Sequence, residues 1–162
     1  MNIIMSPQIF FIVGIICMGI ALVGGVLWWH NTKGTFLDTD TVRLSFAHGI
    51  ITAEIAASPA KQSRGLSGRT ELPSLHGMLF TFSSPQKQTF WMKGMKMSLD
   101  FIWISDKKVV ETRSDVLPPQ NLLDVTLIAP TQPVDLVLEV AAGTVERLQI
   151  KIGDVVEISG AK

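Results

Sequence analysis

The chain of 162 residues has a single cysteine, Cys17, so no intramolecular disulfide can form and a disulfide-stapled scaffold is excluded. Net charge is missing too. Fourteen Lys and Arg balance fourteen Asp and Glu, which argues against a nucleic-acid partner held by bulk electrostatics. The first 32 positions contain no Asp, Glu, Lys or Arg, so every charged side chain falls from Lys33 onward. Also absent are H-E-x-x-H, C-x-x-C, G-x-S-x-G, a P-loop and G-x-G-x-x-G. Zinc, thiol, serine-hydrolase and nucleotide chemistry therefore lack a motif, and no cofactor is implied. There is no internal repeat, heptad or low-complexity tract, and the length suits one folded domain.

The uncharged start is informative. Ile9 to Trp29 reads IFFIVGIICMGIALVGGVLWW. As a helix rising 1.5 Å per residue, it spans about 30 Å, the thickness of a bilayer's hydrocarbon core. Trp28 and Trp29 end the run as an aromatic anchor at the interface. A cleaved signal peptide would show a basic n-region and small residues at the cut, and neither is present. The expected organisation is a tail over 1–8, a transmembrane helix over 9–29, a linker over 30–40, a folded domain over 41–158 and a short tail over 159–162. The bilayer, met through residues 9–29, is one partner. Lys33 and Arg43, both beyond the span, mildly favour a cytoplasmic domain by the positive-inside rule.

Beyond the linker, apolar runs alternate with turn signals. Val42 to Ala47 and Ile50 to Ala56 flank His48-Gly49, a hairpin signature. Ser58 followed by Pro59 predicts a helix N-cap with proline at the first helical position, and the helix runs over Ala60 to Leu66 and ends near Gly68. Further strands are expected at Gly77 to Phe82, Thr89 to Lys93, Leu99 to Ser105, Val109 to Arg113, Val134 to Val140 and Asp154 to Ile158. A short run at Val125 to Ile128 and a helical turn at Thr144 to Gln149 complete the pattern. Asp106-Lys107-Lys108 turns between two of these strands. The expected fold class is mostly β: one compact barrel- or sandwich-like domain with one or two short helices.

Several blocks then agree with a known family. Arg64 to Arg69 (RGLSGR), Gly77 to Phe80 (GMLF), Phe90 to Lys93 (FWMK), Leu99-Asp100, Leu138-Glu139 with Gly143, and Gly153-Asp154 occur in this order. Together they resemble the DUF192 family, also called UPF0127, over about residues 41 to 158. One departure is Ser98, where a proline usually precedes Leu-Asp. The resemblance implies a compact β-rich fold. It also implies membrane-anchored or exported members, which places the domain on the outer, periplasmic side of the cytoplasmic membrane against the mild charge signal. It supplies no activity.

Candidate site residues follow from chemistry. Arg64 and Arg69 suit bidentate capture of a carboxylate or phosphate, or pair with Asp100 or Glu139 to hold loops. In a strand, Trp91 and Lys93 share one face and Phe90 and Met92 the other, so one pair enters the core while Trp91 offers a stacking platform. Asp100 sits where an acid accepts backbone N–H groups or an arginine. Glu139 shares a face with Val137 and needs a cation if buried. The leading expectation is a membrane-anchored, non-enzymatic binding or accessory domain. Arg64, Arg69, Trp91, Lys93, Asp100 and Glu139 are its candidate ligand-binding residues, for an envelope protein or a small anionic ligand. A small hydrolase or transferase using Asp100 and Glu139 is the alternative, and enzymatic activity is left open. A second alternative is Cu(I) binding through His76, Met78, Met92, Met95 and Met97, because thioethers and imidazole suit that ion.

Overall fold

The computed structural model describes residues 40–121 and 127–160. The expected membrane helix over 9–29 lies outside the described residues. Among those described, no helix is long and apolar enough to cross a membrane.

Among the described residues, nine strands and two short helices follow in the order β1 (Thr41–Phe46), β2 (Gly49–Ala56), α1 (Pro59–Arg64), β3 (His76–Gln86), β4 (Phe90–Trp91), β5 (Leu99–Ser105), β6 (Lys108–Val116), β7 (Leu127–Ile128), β8 (Val134–Ala141), α2 (Thr144–Arg147) and β9 (Glu157–Gly160). The mostly β expectation holds, as a compact sheet domain with few short helices. Seven strands form one sheet in the order β6-β5-β8-β3-β2-β1-β9, and β4 pairs with β7 separately. All pairings are antiparallel except β2 with β3, the crossover that carries α1. Positive φ at Asp106 and Lys107 makes the β5–β6 turn the primed type that matches strand twist.

The sheet is rolled, and its two ends meet at one corner. Val109 N–H donates to Asp154 O (2.9 Å), Gly153 N–H to Val109 O (2.8 Å) and Val156 N–H to Lys107 O (2.8 Å). The segment entering β9 is thereby held to the start of β6. This shifts the last strand from the expected Asp154 to Ile158 to Glu157–Gly160, since Gly153 to Val156 are engaged elsewhere. The strand expected at Thr89 to Lys93 shortens to Phe90–Trp91, because the chain turns at Gly94, where φ is +73°.

Alternation along the strands sends side chains to two apolar clusters. The inner one includes Leu44, Ile51, Leu79, Ile102, Leu138 and Val140, closed below by Val145 and Leu148 of the α2 region. The outer one lies over β3, β5 and β8 and includes Met78, Phe80, Phe90, Phe101, Trp103 and Val137. Phe90 is the hub of its rings, with centroids 5.1 Å from Phe80, 6.5 Å from Phe82 and 5.9 Å from Phe101, all edge-on.

Asp100, fully buried on β5, ties the inner side together. Between Leu99 and Phe101 the register with β6 slips by one residue, a bulge that takes Asp115 into positive φ and frees its N–H from the ladder. That N–H donates to Asp100 Oδ1 at 2.9 Å. The other oxygen accepts from Val145 N–H at 2.9 Å. Gly143, the N-cap of α2, has no side chain to cap the helix, and Asp100 serves from another strand. Asp100→Ala would leave the buried Val145 N–H and the half-buried Asp115 N–H unpaired, the former costing about 1–3 kcal/mol and the latter less. We expect urea unfolding of Asp100→Ala to show a loss of roughly 2–3 kcal/mol. A loss below about 1 kcal/mol would show that the bulge and helix hold themselves.

Candidate functional site

Glu139 is the unusual residue. It pairs across β8 with Met78 of β3 on one side and Phe101 of β5 on the other, so its side chain leaves on the outer, aromatic face. It is 5% exposed, and its carboxyl makes no hydrogen bond or ion pair among the described residues. The cation partner expected for it is therefore absent. Burial alone pushes its pKa up from 4.5 to about 8, so the group is a neutral acid at pH 7.

The chain roofs this carboxyl. Ser58 accepts a hydrogen bond from Lys61 N–H (3.2 Å) and Pro59 opens α1, as the sequence predicts. The helix stops at Arg64, earlier than expected, because Gly65 adopts φ +49° and ψ −136°. A Cβ on Gly65 would lie 3.4 Å from the Phe80 ring and 3.8 Å from Glu139 Oε2, so bare backbone crosses over the acid. Gln62 fixes α1 in place: its amide nitrogen lies 2.9 Å from Thr81 O and 3.2 Å from Ala56 O. Beyond Thr81, β3 departs from its register with β8 until Gln86, and this excursion carries Phe82 to the site. The opposite wall is the β4 loop. Gly68 N–H donates to Gly94 O at 2.9 Å, and a Cβ on Gly94 would collide with Ser67 Oγ. The two loops clasp each other there.

Between them lies a cavity of about 260 Å³, with Glu139 as its one carboxyl, Phe80, Phe82 and Trp91 as aromatic walls, and Arg64 and Lys93 as its cations. Trp91 is 49% exposed while Phe90 and Met92 are buried, which matches the expected division of the FWMK strand. Four of the six candidate residues, Arg64, Trp91, Lys93 and Glu139, thus line one space.

The other two do not. Arg69 makes a bidentate pair with Glu54, Nη1–Oε1 2.7 Å and Nη2–Oε2 2.9 Å. Its partner is Glu54 rather than the Asp100 or Glu139 considered from the sequence. The hydrogen bond from Arg69 lowers the Glu54 pKa, and the same bond raises that of Arg69. The pair lines a second, more open cavity that shares Arg64, Gly65 and Ser67 with the first. Asp100 is spent on Asp115 and Val145. It pairs with Val140, while Glu139 pairs with the next residue, Phe101. The two acids offered as a catalytic couple therefore leave on opposite faces of the sheet and do not converge.

The methionines sit in the outer cluster. Met78, Met92 and Met95 are buried among its rings and Met97 packs against it, whereas His76 is exposed with Nδ1 3.0 Å from Ser74 O. Among the described residues, no group of three or more His, Cys, Asp or Glu side chains is placed to hold a metal.

Gln62, Gly65, Phe80, Phe82 and Gly94 were not singled out by their chemistry in the sequence. Gly65 was visible inside RGLSGR, but only the path of the chain over Glu139 gives it a role.

The model of the DUF192 family, described as an uncharacterized ACR, matches residues 42–158, and the chain belongs to this family. A crystal structure from Sinorhizobium meliloti 1021, described as a "putative transcription regulator", is 31% identical with a TM-score of 0.65, covering 78% of this chain and 98% of its own. A protein of unknown function from Novosphingobium aromaticivorans DSM 12444 is 34% identical with a TM-score of 0.63, covering 72% of this chain and 83% of its own. No curated protein matches.

The Glu139 acid gives stability a particular pH dependence. Its native pKa lies above the unfolded value, so its contribution is full below about pH 4.5 and is lost as pH rises through about 8. We expect thermal or urea unfolding to show stability falling by roughly 3–5 kcal/mol from this group between pH 5 and 8.5, at about 1.4 kcal/mol per unit. In Glu139→Gln that decline should be absent. An unchanged profile in the variant would place the titration elsewhere.

Proposed function

We propose that this protein is a membrane-tethered, non-enzymatic binding module. Its segment 9–29 anchors it in the cytoplasmic membrane, and its folded domain, on the outer side, holds a small ligand in the Glu139 cavity. The observation that carries the reading is the buried Glu139 carboxyl, which lines an aromatic cavity with no partner among the described residues. An unpaired polar group in a core costs stability, and buried polar groups are normally satisfied. A chain that keeps one at a cavity wall, beside Arg64, Lys93 and Trp91, keeps it for something that enters. No second acid, metal cluster or nucleophile–base pair accompanies it among the described residues, which favours binding over catalysis. The balanced charge of the chain gives no support to nucleic-acid binding, whatever the description of the Sinorhizobium relative.

If Glu139 serves a ligand, the fold is better off without it. Glu139→Met should therefore raise the unfolding free energy at pH 7 by roughly 2 kcal/mol or more, read by urea titration of the full chain. A loss of stability would mean that the carboxyl supports the fold, and the ligand site would fall with it. The tether is tested by fusing a cytoplasm-only reporter after Lys162: no reporter activity is expected, and activity would reverse the proposed orientation.

A further inference from the structure

The chemistry of the cavity narrows its ligand. We propose that it takes one residue of an acidic saccharide bearing an amide substituent, such as an acetamido sugar acid; this rests on the ligand-binding reading above. The wall opposite Glu139 carries Trp91, half exposed, whose cross-strand neighbour Leu127 is 61% exposed. An open indole face beside an aliphatic side chain is a platform for a ring that is apolar on one side and polar at its rim, as a pyranose is. Ser63, Ser67, Thr89 and Gln88 supply uncharged hydroxyl and amide groups around the same space, the kind of lining that meets hydroxyls.

Charge decides the rest. Arg64 and Lys93 come from different segments, and Glu139 is the one acid in the lining. With Glu139 neutral, the cavity is net positive, and a ligand with a carboxylate completes it. A neutral carboxyl offers one donor and one acceptor side by side, so it suits an amide or hydroxyl and not a cation. A volume of about 260 Å³ lies at the small end of ligand pockets, roughly 300–1,000 Å³, which suits one substituted ring. A peptide terminus is the competing ligand of similar chemistry. Behind the carboxyl, β3 is paired with β2 and β8 as far as Phe80, and β8 with β3 and β5, so no free strand edge lies beside Glu139 along which a peptide could be added.

The test uses the full chain in lipid nanodiscs, titrated calorimetrically with N-acetylmuramic acid, N-acetylglucosamine and N-acetylalanine. The acidic sugar should bind at least about tenfold tighter than the neutral one. Arg64→Ala/Lys93→Ala should erase that preference. Glu139→Gln, which keeps a donor and an acceptor, should bind within about threefold of the parent, while Glu139→Met should lose about tenfold or more. Equal affinity for the two sugars, or affinities untouched by these variants, overturns the proposal. Tighter binding of N-acetylalanine overturns the saccharide and assigns the cavity to peptide ends. Absence of binding by all three overturns the saccharide as well, whereas the ligand-site reading itself stands or falls on the stability of Glu139→Met.

Discussion

Asp100 is the point on which the domain's inner side hangs. Its carboxylate binds the N–H freed by the β6 bulge and the N–H at the open start of α2, two places that strand pairing and helix bonding both leave unserved. The bulge lets β6 bend, and α2 brings Val145 and Leu148 under the sheet as the floor of the inner cluster. An acid buried this completely is tolerable only because both oxygens are met.

One residue of strand parity separates Asp100 from the opposite situation. β5 and β8 pair so that Asp100 faces inward with Val140, while Phe101 and Glu139 face outward together. The same ladder thus holds one acid whose two oxygens are both met and another whose carboxyl meets no partner among the described residues. The register runs on from Glu139 through Met78 to Glu54 of β2, where the second acid of the row is held by Arg69. Burial raises the pKa of one and an arginine lowers that of the other, although Met78 alone stands between them in the row.

Most of the element order was legible in the sequence. The hairpins, the Ser58-Pro59 helix start and the FWMK division all rest on local signals: period-two alternation, capping chemistry and turn residues. The strand ends were less so. β9 starts late because Gly153 to Val156 bond to the β6 side, a long-range pairing that no local pattern announces. In the site, Arg64, Trp91, Lys93 and Glu139 could be picked out as residue types, and the structure groups them. That Arg69 finds Glu54, and that Asp100 and Glu139 diverge, depends on pairing across strands distant in the chain. Gly65 and the β3 excursion act through the path of the backbone, which composition does not reveal.

The joined corner between β6 and the approach to β9 has a consequence for how copies of this protein meet. An open sheet ends in rows of unanswered N–H and C=O groups, which invite a neighbour to extend it. Here the first residues of β6 are already engaged, the strand is bent by two register slips, and it carries Lys108, Glu111, Arg113 and Asp115 along its length. Glu111 further receives Thr131 N–H at 2.8 Å and the Thr131 hydroxyl at 2.7 Å. Molecules crowded side by side would meet at this margin hydrated charges and curvature instead of a flat template, which disfavours lateral polymerisation.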